Sequence, residues 1–208
     1  LFPSPSLSIH LSNFSLRWFG MYFTRFEWLH STWVSLVVAA GAAVLTSVLV
    51  LAIALGMRRL SQTARALIIP VCLSPIIVPT VVYGLAAYFL FARMGLIGTK
   101  LSMMLAHAVI AVPAAFLVML AGIQSLDGRL EDAAASLGAS PWKRLRYVVI
   151  PILSPVMVIG ALIAFLVSFD DLNIALFLAS GNTKTLPKLM YDSILFDNDP
   201  RVNAASAV

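Results

Sequence analysis

Two adjacent carboxylates, Asp170 and Asp171, follow a long apolar run and are the residues of this sequence best suited to chemistry. A carboxylate in an apolar segment costs about 2.5 to 3.5 kcal/mol on membrane-insertion scales, so such residues usually face a partner or a polar pathway. Two chemistries fit: attraction of a cationic substrate, or acid–base catalysis by an aspartyl pair. Neighbouring helical residues point in different directions and do not readily share a proton. The pair therefore favours cation binding over catalysis.

The position of these aspartates leaves a second interpretation open. At about 1.5 Å per helical residue counted from Val148, Asp170 lies about 33 Å along a helix, near its far end. A solvated helix end, or a cap for the following segment, would also explain an aspartate there. Either one carboxylate lines a pathway or the pair ends the helix.

A histidine and several prolines in two earlier apolar runs are further candidates. His107 could contact a substrate or pair with a neighbouring helix. Prolines at positions 70, 75 and 79 remove backbone donors and predict a bent or discontinuous helix. Broken helices often line transport paths, although prolines also kink purely structural spans. The candidate path residues are Asp170, Asp171, His107, Pro75 and Pro79.

The elements that must position these residues are helices in a membrane. Of the 208 residues, 61% are hydrophobic and 11% are charged, whereas roughly a quarter of an ordinary soluble domain is charged. Four stretches without Asp, Glu, Lys or Arg each exceed the ~20 residues that a spanning helix needs. They predict helices at Thr32–Met57, Ala66–Ala92, Leu101–Leu126 and Val148–Ala179. We predict an all-α, polytopic transmembrane bundle, with residues 1–208 forming a single domain.

The two ends of the chain suggest a fragment of a longer membrane protein. Residue 1 is Leu, no signal peptide is recognisable, and the small apolar run Asn203–Val208 stops at the last residue. We expect one span to be missing on each side. The aromatic-rich stretch Phe14–Trp28 predicts a segment at the headgroup boundary.

Several classes of function are disfavoured by what the sequence lacks. The 14 basic residues are dispersed and form no stripe with aromatics, which argues against nucleic-acid binding. Without a Gly-Lys pair there is no phosphate-binding loop, and no zinc-protease or serine-hydrolase motif occurs. Cys72, the single cysteine, can form neither an internal disulfide nor a cysteine-based zinc site. We expect no catalytic residue, no metal and no cofactor.

The loop at residues 127–147 predicts two short helices set at an angle. Asp127 can cap the first helix, and Gly138 stands where a left-handed residue would end it. Ser140 followed by Pro141 supplies a new N-cap and first turn, so the second helix would run on into the membrane. The small-residue face of this elbow is formed by Ala133, Ala134 and Ala135.

This segment resembles the EAA loop of permease subunits of ABC importers. The Glu-Ala-Ala triplet corresponds to Asp132, Ala133 and Ala134, with Asp in place of Glu and Glu131 just before it. The spacing to Gly138, and then to the closing Val-Val-Ile-Pro at 148–151, also matches. The resemblance implies an importer permease fold of usually six spans, of which about four would be complete here.

The resemblance also implies a role and partners. Loop 127–147 would be cytoplasmic and would couple the permease to a separate ABC ATPase dimer, which hydrolyses the ATP. A second permease subunit and an extracytoplasmic solute-binding protein would complete a bacterial inner-membrane importer. The coupling residues would be Glu131, Asp132, Ala133, Ala134 and Gly138.

The substrate follows from a weaker resemblance. The segment that starts at Ser168, SFDDLNIALFLASGNTKTLP, is similar to the polyamine branch of the family, which favours spermidine or putrescine. A permease for thiamine, ferric iron or an organic anion is the main alternative. A self-sufficient secondary transporter and a membrane enzyme are weaker ones. Basic residues divide evenly between the two sides of the predicted bundle. Those on the side of loop 127–147 lie in shorter stretches, which favours a cytoplasmic loop, and the resemblance decides the orientation.

Overall fold

A computed structural model of the protein describes residues 26–58 and 60–197. Most of the predicted interfacial stretch, residues 14–25, lies outside the described residues, and so does the run Asn203–Val208. The described end of that stretch, Phe26 to Trp28, forms the first turn of a long helix.

The described chain is a series of helices joined by short connections. In chain order they are α1 (Phe26–Met57), α2 (Gln62–Leu73), α3 (Thr80–Arg93), α4 (Lys100–Gln124), α5 (Gly128–Ser136), α6 (Pro141–Arg144), α7 (Ile150–Asp170), α8 (Asn173–Leu178) and α9 (Leu186–Asp192). Single 3₁₀ turns lie at Ser74–Ile76 and Gly181–Thr183, and π-helical turns at Leu145–Val149 and Ser193–Asp197. Residues 26–58 and 60–197 contain no strand, and the all-α prediction is confirmed.

Three helical segments are long and apolar enough to cross a membrane. They are α1, α4 and the continuous run Pro141–Asp170, with mean hydropathies of 2.7, 2.3 and 2.6 over their most apolar windows. A fourth span results if α2 and α3 are taken together as one bent span. The predicted polytopic bundle is therefore confirmed.

The core of the bundle is formed by α1, α4 and α7, each of which packs against the other two. Small side chains lie where these helices meet: Ala43, Ala111 and Ala164 form one buried cluster. Gly160 of α7 faces Ala115 of α4. Lipid tails are as apolar as leucine, so close backbone approach through small residues supplies much of the packing between membrane helices.

The second predicted span is broken, as its prolines indicate. The segments 62–76 and 80–93 meet at an angle of 97°. Pro75 lies within the 3₁₀ turn that ends the first limb, and Pro79 directly precedes the first residue of α3. The two limbs are about 20 Å long each, so neither alone crosses about 30 Å of hydrocarbon.

The fourth predicted span, Val148–Ala179, is wrong at its C-terminal end. The helical run begins earlier, at Pro141, and ends at Asp170, and α8 is a separate short helix. The run ends because Asp171 adopts an extended conformation and its carboxylate accepts a hydrogen bond from the backbone N–H of Ile174. An aspartate that caps the following helix cannot also continue the preceding one.

Helix packing in the core predicts that one glycine position does not tolerate a methyl group. A Cβ at Gly122 of α4 would lie 2.7 Å from Cγ1 of Val156 on α7, and a β-branched side chain can move little. We expect Gly122→Ala to cost about 1–3 kcal/mol and to lower the thermal unfolding temperature in detergent. Gly56→Ala is the matched control, since nothing lies within 4 Å of a Cβ there. Equal unfolding temperatures for the two variants would contradict this packing.

Candidate functional site

An open cleft lies between the break in the second span and the end of α7. Its volume is about 920 Å³, which is in the range of small-molecule sites. Pro75 and Thr80 line it from the break, Ile110 from α4, and Asp170 and Asp171 from the end of α7. The described lining residues include no Lys or Arg, so two carboxylates stand in this cleft without an opposing cation.

The two aspartates have different surroundings. Asp170 is exposed, and its carboxylate makes no hydrogen bond or ion pair with another described residue. The side chain of Asp171 is only 6% exposed. Its Oδ2 accepts the N–H of Ile174 at 2.8 Å and thereby caps α8. The two interpretations therefore apply to different residues of the pair. Asp171 ends the helix, and Asp170 faces the open cleft.

A buried polar cluster lies behind Asp171. The imidazole of His107 is fully buried, and its Nδ1 is hydrogen-bonded to Oγ of Ser168 at 2.7 Å. Its Nε2 lies 3.7 Å from Oδ2 of Asp171 and has no hydrogen-bond partner in the described part of the chain. His107 therefore does not line the cleft but contacts α7 and the residue that ends it.

The wall of the cleft is held together by side chains that sequence reasoning missed. Nδ2 of Asn173 donates to Oγ1 of Thr80 at 2.8 Å, which joins α8 to the start of α3. The hydroxyl of Tyr83 donates to the carbonyl of Ala106 at 3.1 Å and joins α3 to α4. The sequence shows these polar residues within apolar segments, which indicates that they need partners. It does not show which partners, because those residues are distant in sequence.

The predicted path residues are thus only partly brought together. Pro75, Asp170 and Asp171 line the same cleft. Pro79 lies between two lining residues, Val78 and Thr80, without being one itself. His107 lies behind Asp171 and does not line the cleft.

The second candidate site is the elbow at residues 127–147, and its local geometry follows the sequence closely. Oδ1 of Asp127 accepts the N–H of Arg129 at 2.9 Å and caps α5. Gly138 has φ +83°, and its N–H and that of Ala139 donate back to the carbonyls of Ala135 and Ala134. This is the left-handed glycine ending known as a Schellman motif.

The second half of the elbow leads directly into α7. Oγ of Ser140 accepts the N–H of Lys143, and Pro141 occupies the first turn of α6. The helix widens into the π turn Leu145–Val149, in which Ile150 N–H donates to the Leu145 carbonyl, just before Pro151 removes a donor. The prediction that the second helix runs on into a span is confirmed.

An ion pair attaches the elbow to the end of α1. The guanidinium of Arg58 donates to the carboxylate of Glu131, and both side chains are largely buried. Arg65 holds the same corner, because its guanidinium donates to the carbonyls of Met57 and Arg58. Glu131, predicted as a coupling residue, is thus engaged within the chain, whereas Asp132 is exposed.

The outer surface of the elbow is apolar as well as small. Ala133 and Ala135 are exposed, and Ala134 is partly buried. Leu137 is 89% exposed, the largest value among the bulky apolar side chains in the described ranges. Trp142 is also mostly exposed. Exposed apolar groups of this kind are typical of contact surfaces, and the sequence pattern indicated only the alanines.

Comparisons with known proteins find relatives among transport system permeases. The chain is 29% identical to the putrescine transport system permease protein PotI of Escherichia coli K12, over 100% of this chain and 76% of the relative. It is 22% identical to the spermidine/putrescine transport system permease protein PotC of the same organism, over 100% of this chain and 78% of the relative. The molybdenum transport system permease protein ModB of that organism is 28% identical over 65% of this chain and 66% of the relative.

A family match covers most of the chain, including both candidate sites. Residues 48–197 match the family described as binding-protein-dependent transport system inner membrane component. The family is one of transport components, whereas the weaker alternatives were a self-sufficient secondary transporter and a membrane enzyme. The protein therefore belongs to the binding-protein-dependent transport system inner membrane components and is a membrane-embedded transport subunit.

Proposed function

We propose that this chain is the permease subunit of an ABC importer for polyamines such as putrescine and spermidine. The observation that carries the substrate class is the pair of carboxylates in a cleft whose described lining has no basic residue. The ammonium groups of a polyamine would be attracted there, and an anion would be repelled. The names of the relatives PotI and PotC support the same class.

In this proposal the two aspartates have different roles. Asp170, exposed and unpaired among the described residues, would contact the passing ammonium group. Asp171 would add negative charge while it holds the end of α7 against α8. Pro75 and Pro79 would keep the second span open at its break, so that Thr80 and the backbone near it reach the cleft. His107 would support Asp171 from behind.

The elbow at residues 127–147 would connect this path to a motor. We propose that it lies in the cytoplasm and docks into a cleft of a separate ABC ATPase dimer, with Asp132, Ala133, Ala134 and the exposed Leu137 in contact. Closure of the ATPase pair would push the elbow, and the helical run Pro141–Asp170 would carry that push to the aspartates. A second permease subunit and an extracytoplasmic solute-binding protein would complete the importer.

A permease for another small solute is the second candidate, and the similarity to ModB is the observation in its favour. Thiamine, ferric iron and organic anions are the other solutes to consider. An oxyanion would have to pass Asp170 and Asp171, which is electrostatically unfavourable without a cation nearby. A solute-binding protein encoded beside this gene would separate the candidates by the ligand that it binds.

Removal of the cleft carboxylates tests the polyamine path. We expect Asp170→Asn to reduce putrescine uptake about tenfold, mainly through a higher KM, because a carboxylate–ammonium contact is lost. The double change with Asp171→Asn should reduce it further, and copurification of the ATPase should stay intact. The measurement is uptake of labelled putrescine and of labelled molybdate by vesicles that contain the full transporter.

Glu27→Gln is the control for that experiment, since Glu27 is an exposed acid on α1 that does not line the cleft. Its uptake should match the wild type. Unchanged putrescine uptake in the Asp170→Asn, Asp171→Asn double variant would refute the pathway role. Molybdate uptake without putrescine uptake in the wild type would support the second candidate instead.

Crosslinking tests whether the elbow contacts an ATPase. In a Cys72→Ala background, a cysteine at position 134 (Ala134→Cys) should crosslink to the ATPase subunit through a short bifunctional reagent. Lys184→Cys, beyond the opposite end of the run Pro141–Asp170, should not. Gel analysis followed by mass spectrometry measures the product. Crosslinks at position 184 but not at 134 would reverse the proposed orientation.

The ion pair between Arg58 and Glu131 predicts a charge-swap rescue. Arg58→Glu alone and Glu131→Arg alone should each release the elbow from α1 and lower the solute moved per ATP hydrolysed severalfold. The double swap should restore most of that ratio, because it rebuilds the pair in reverse. The measurement is simultaneous uptake and phosphate release. A double variant no better than the single variants would show that the pair does not position the elbow.

A further inference from the structure

A second open cleft lies where α1 ends and the run Pro141–Asp170 begins. Its volume is about 670 Å³. Leu55, Gly56 and Arg58 line it from α1, and Trp142 and Arg144 from α6. Both helices change there from apolar to charged sequence, so the cleft lies at the boundary between hydrocarbon and headgroups.

The charges in this cleft do not cancel. Arg58 and Glu131 neutralise each other in their ion pair. Arg144 forms no ion pair within residues 26–58 and 60–197, and its Nε is buried without a hydrogen-bond partner. A buried guanidinium N–H that lacks an acceptor is unfavourable, and such groups usually meet an ion, a water or a ligand. The cleft therefore offers one unneutralised arginine.

The remainder of the lining is apolar or amphipathic. Leu55 and Leu145 provide aliphatic surface beside Arg144, and the buried Val149 lies at the base of the cleft. The indole of Trp142 is 65% exposed, and tryptophan is the residue typical of the headgroup level. An arginine next to aliphatic surface matches a ligand that has a phosphate at one end and hydrocarbon at the other.

We propose that this cleft binds the headgroup of an anionic phospholipid. The phosphate oxygens accept N–H groups of Arg144, whose planar guanidinium suits a phosphate. The glycerol and the first acyl carbons lie against Leu55, Leu145 and Val149. Free phosphate shares the acceptor chemistry but would leave this aliphatic surface uncovered. The proposal requires only that the chain lies in a membrane, whichever solute is transported.

Lipid retention by the purified transporter tests the site. The full complex is extracted from vesicles of phosphatidylglycerol and phosphatidylethanolamine, washed, and its bound lipids are quantified by mass spectrometry. We expect Arg144→Gln to retain at least fivefold less phosphatidylglycerol. Lys143→Gln is the matched control, because it removes the same charge from an adjacent, exposed residue that does not line the cleft. Equal retention by the two variants would overturn the proposal.

A steric variant tests the cleft without a change in charge. Gly56 lines it, and a Cβ built there meets nothing within 4 Å, so Gly56→Leu should fill the space and improve helix propensity. We expect the same loss of phosphatidylglycerol as in Arg144→Gln, and no displacement by inorganic phosphate in the wild type. Full retention in Gly56→Leu, or displacement of the lipid by phosphate, would overturn a lipid site here.

Discussion

A polar group in an apolar surrounding must find a partner, and the end of α7 is organised by that constraint. The carboxylate of Asp171 accepts the N–H of Ile174, and this bond ends α7 and starts α8. Directly behind it, Nδ1 of His107 is hydrogen-bonded to Oγ of Ser168. Because α8 is thereby fixed, Asn173 reaches Thr80 at the break of the second span. The cleft exists because these few bonds hold four segments in place.

The two candidate sites are the two ends of one helical run. Pro141–Asp170 is continuous through a π turn and spans about 45 Å at 1.5 Å per residue. At one end it carries the elbow, and at the other the two aspartates. α1 and α4 pack along it through small residues. In the proposed function, this run would carry a displacement of the elbow to the cleft.

Local signals in the sequence were sufficient for the elbow and for the existence of the spans. Asp127, Gly138 and Ser140 act on backbone groups within three or four residues of themselves, which is why the cap geometry followed from the residue types. Stretches without charge located the apolar helices in the same way. The predicted fourth span was wrong because its residues are apolar well beyond Asp170, and hydropathy alone cannot detect an aspartate that caps the next helix.

The contacts that were not predictable join residues far apart in the chain. The pairing of Arg58 with Glu131, of His107 with Ser168, and of Thr80 with Asn173 depends on how the helices pack, and no spacing rule encodes it. These contacts also separate the roles of similar residues. Asp170 and Asp171 are adjacent and chemically identical. Among the described residues, only the carboxylate of Asp171 accepts a backbone N–H and lies beside an imidazole. A cation that bound Asp171 would compete with the cap of α8, whereas one that bound Asp170 would disturb no described bond. In the proposed path, the exposed carboxylate of Asp170 is thus the better first contact for a solute.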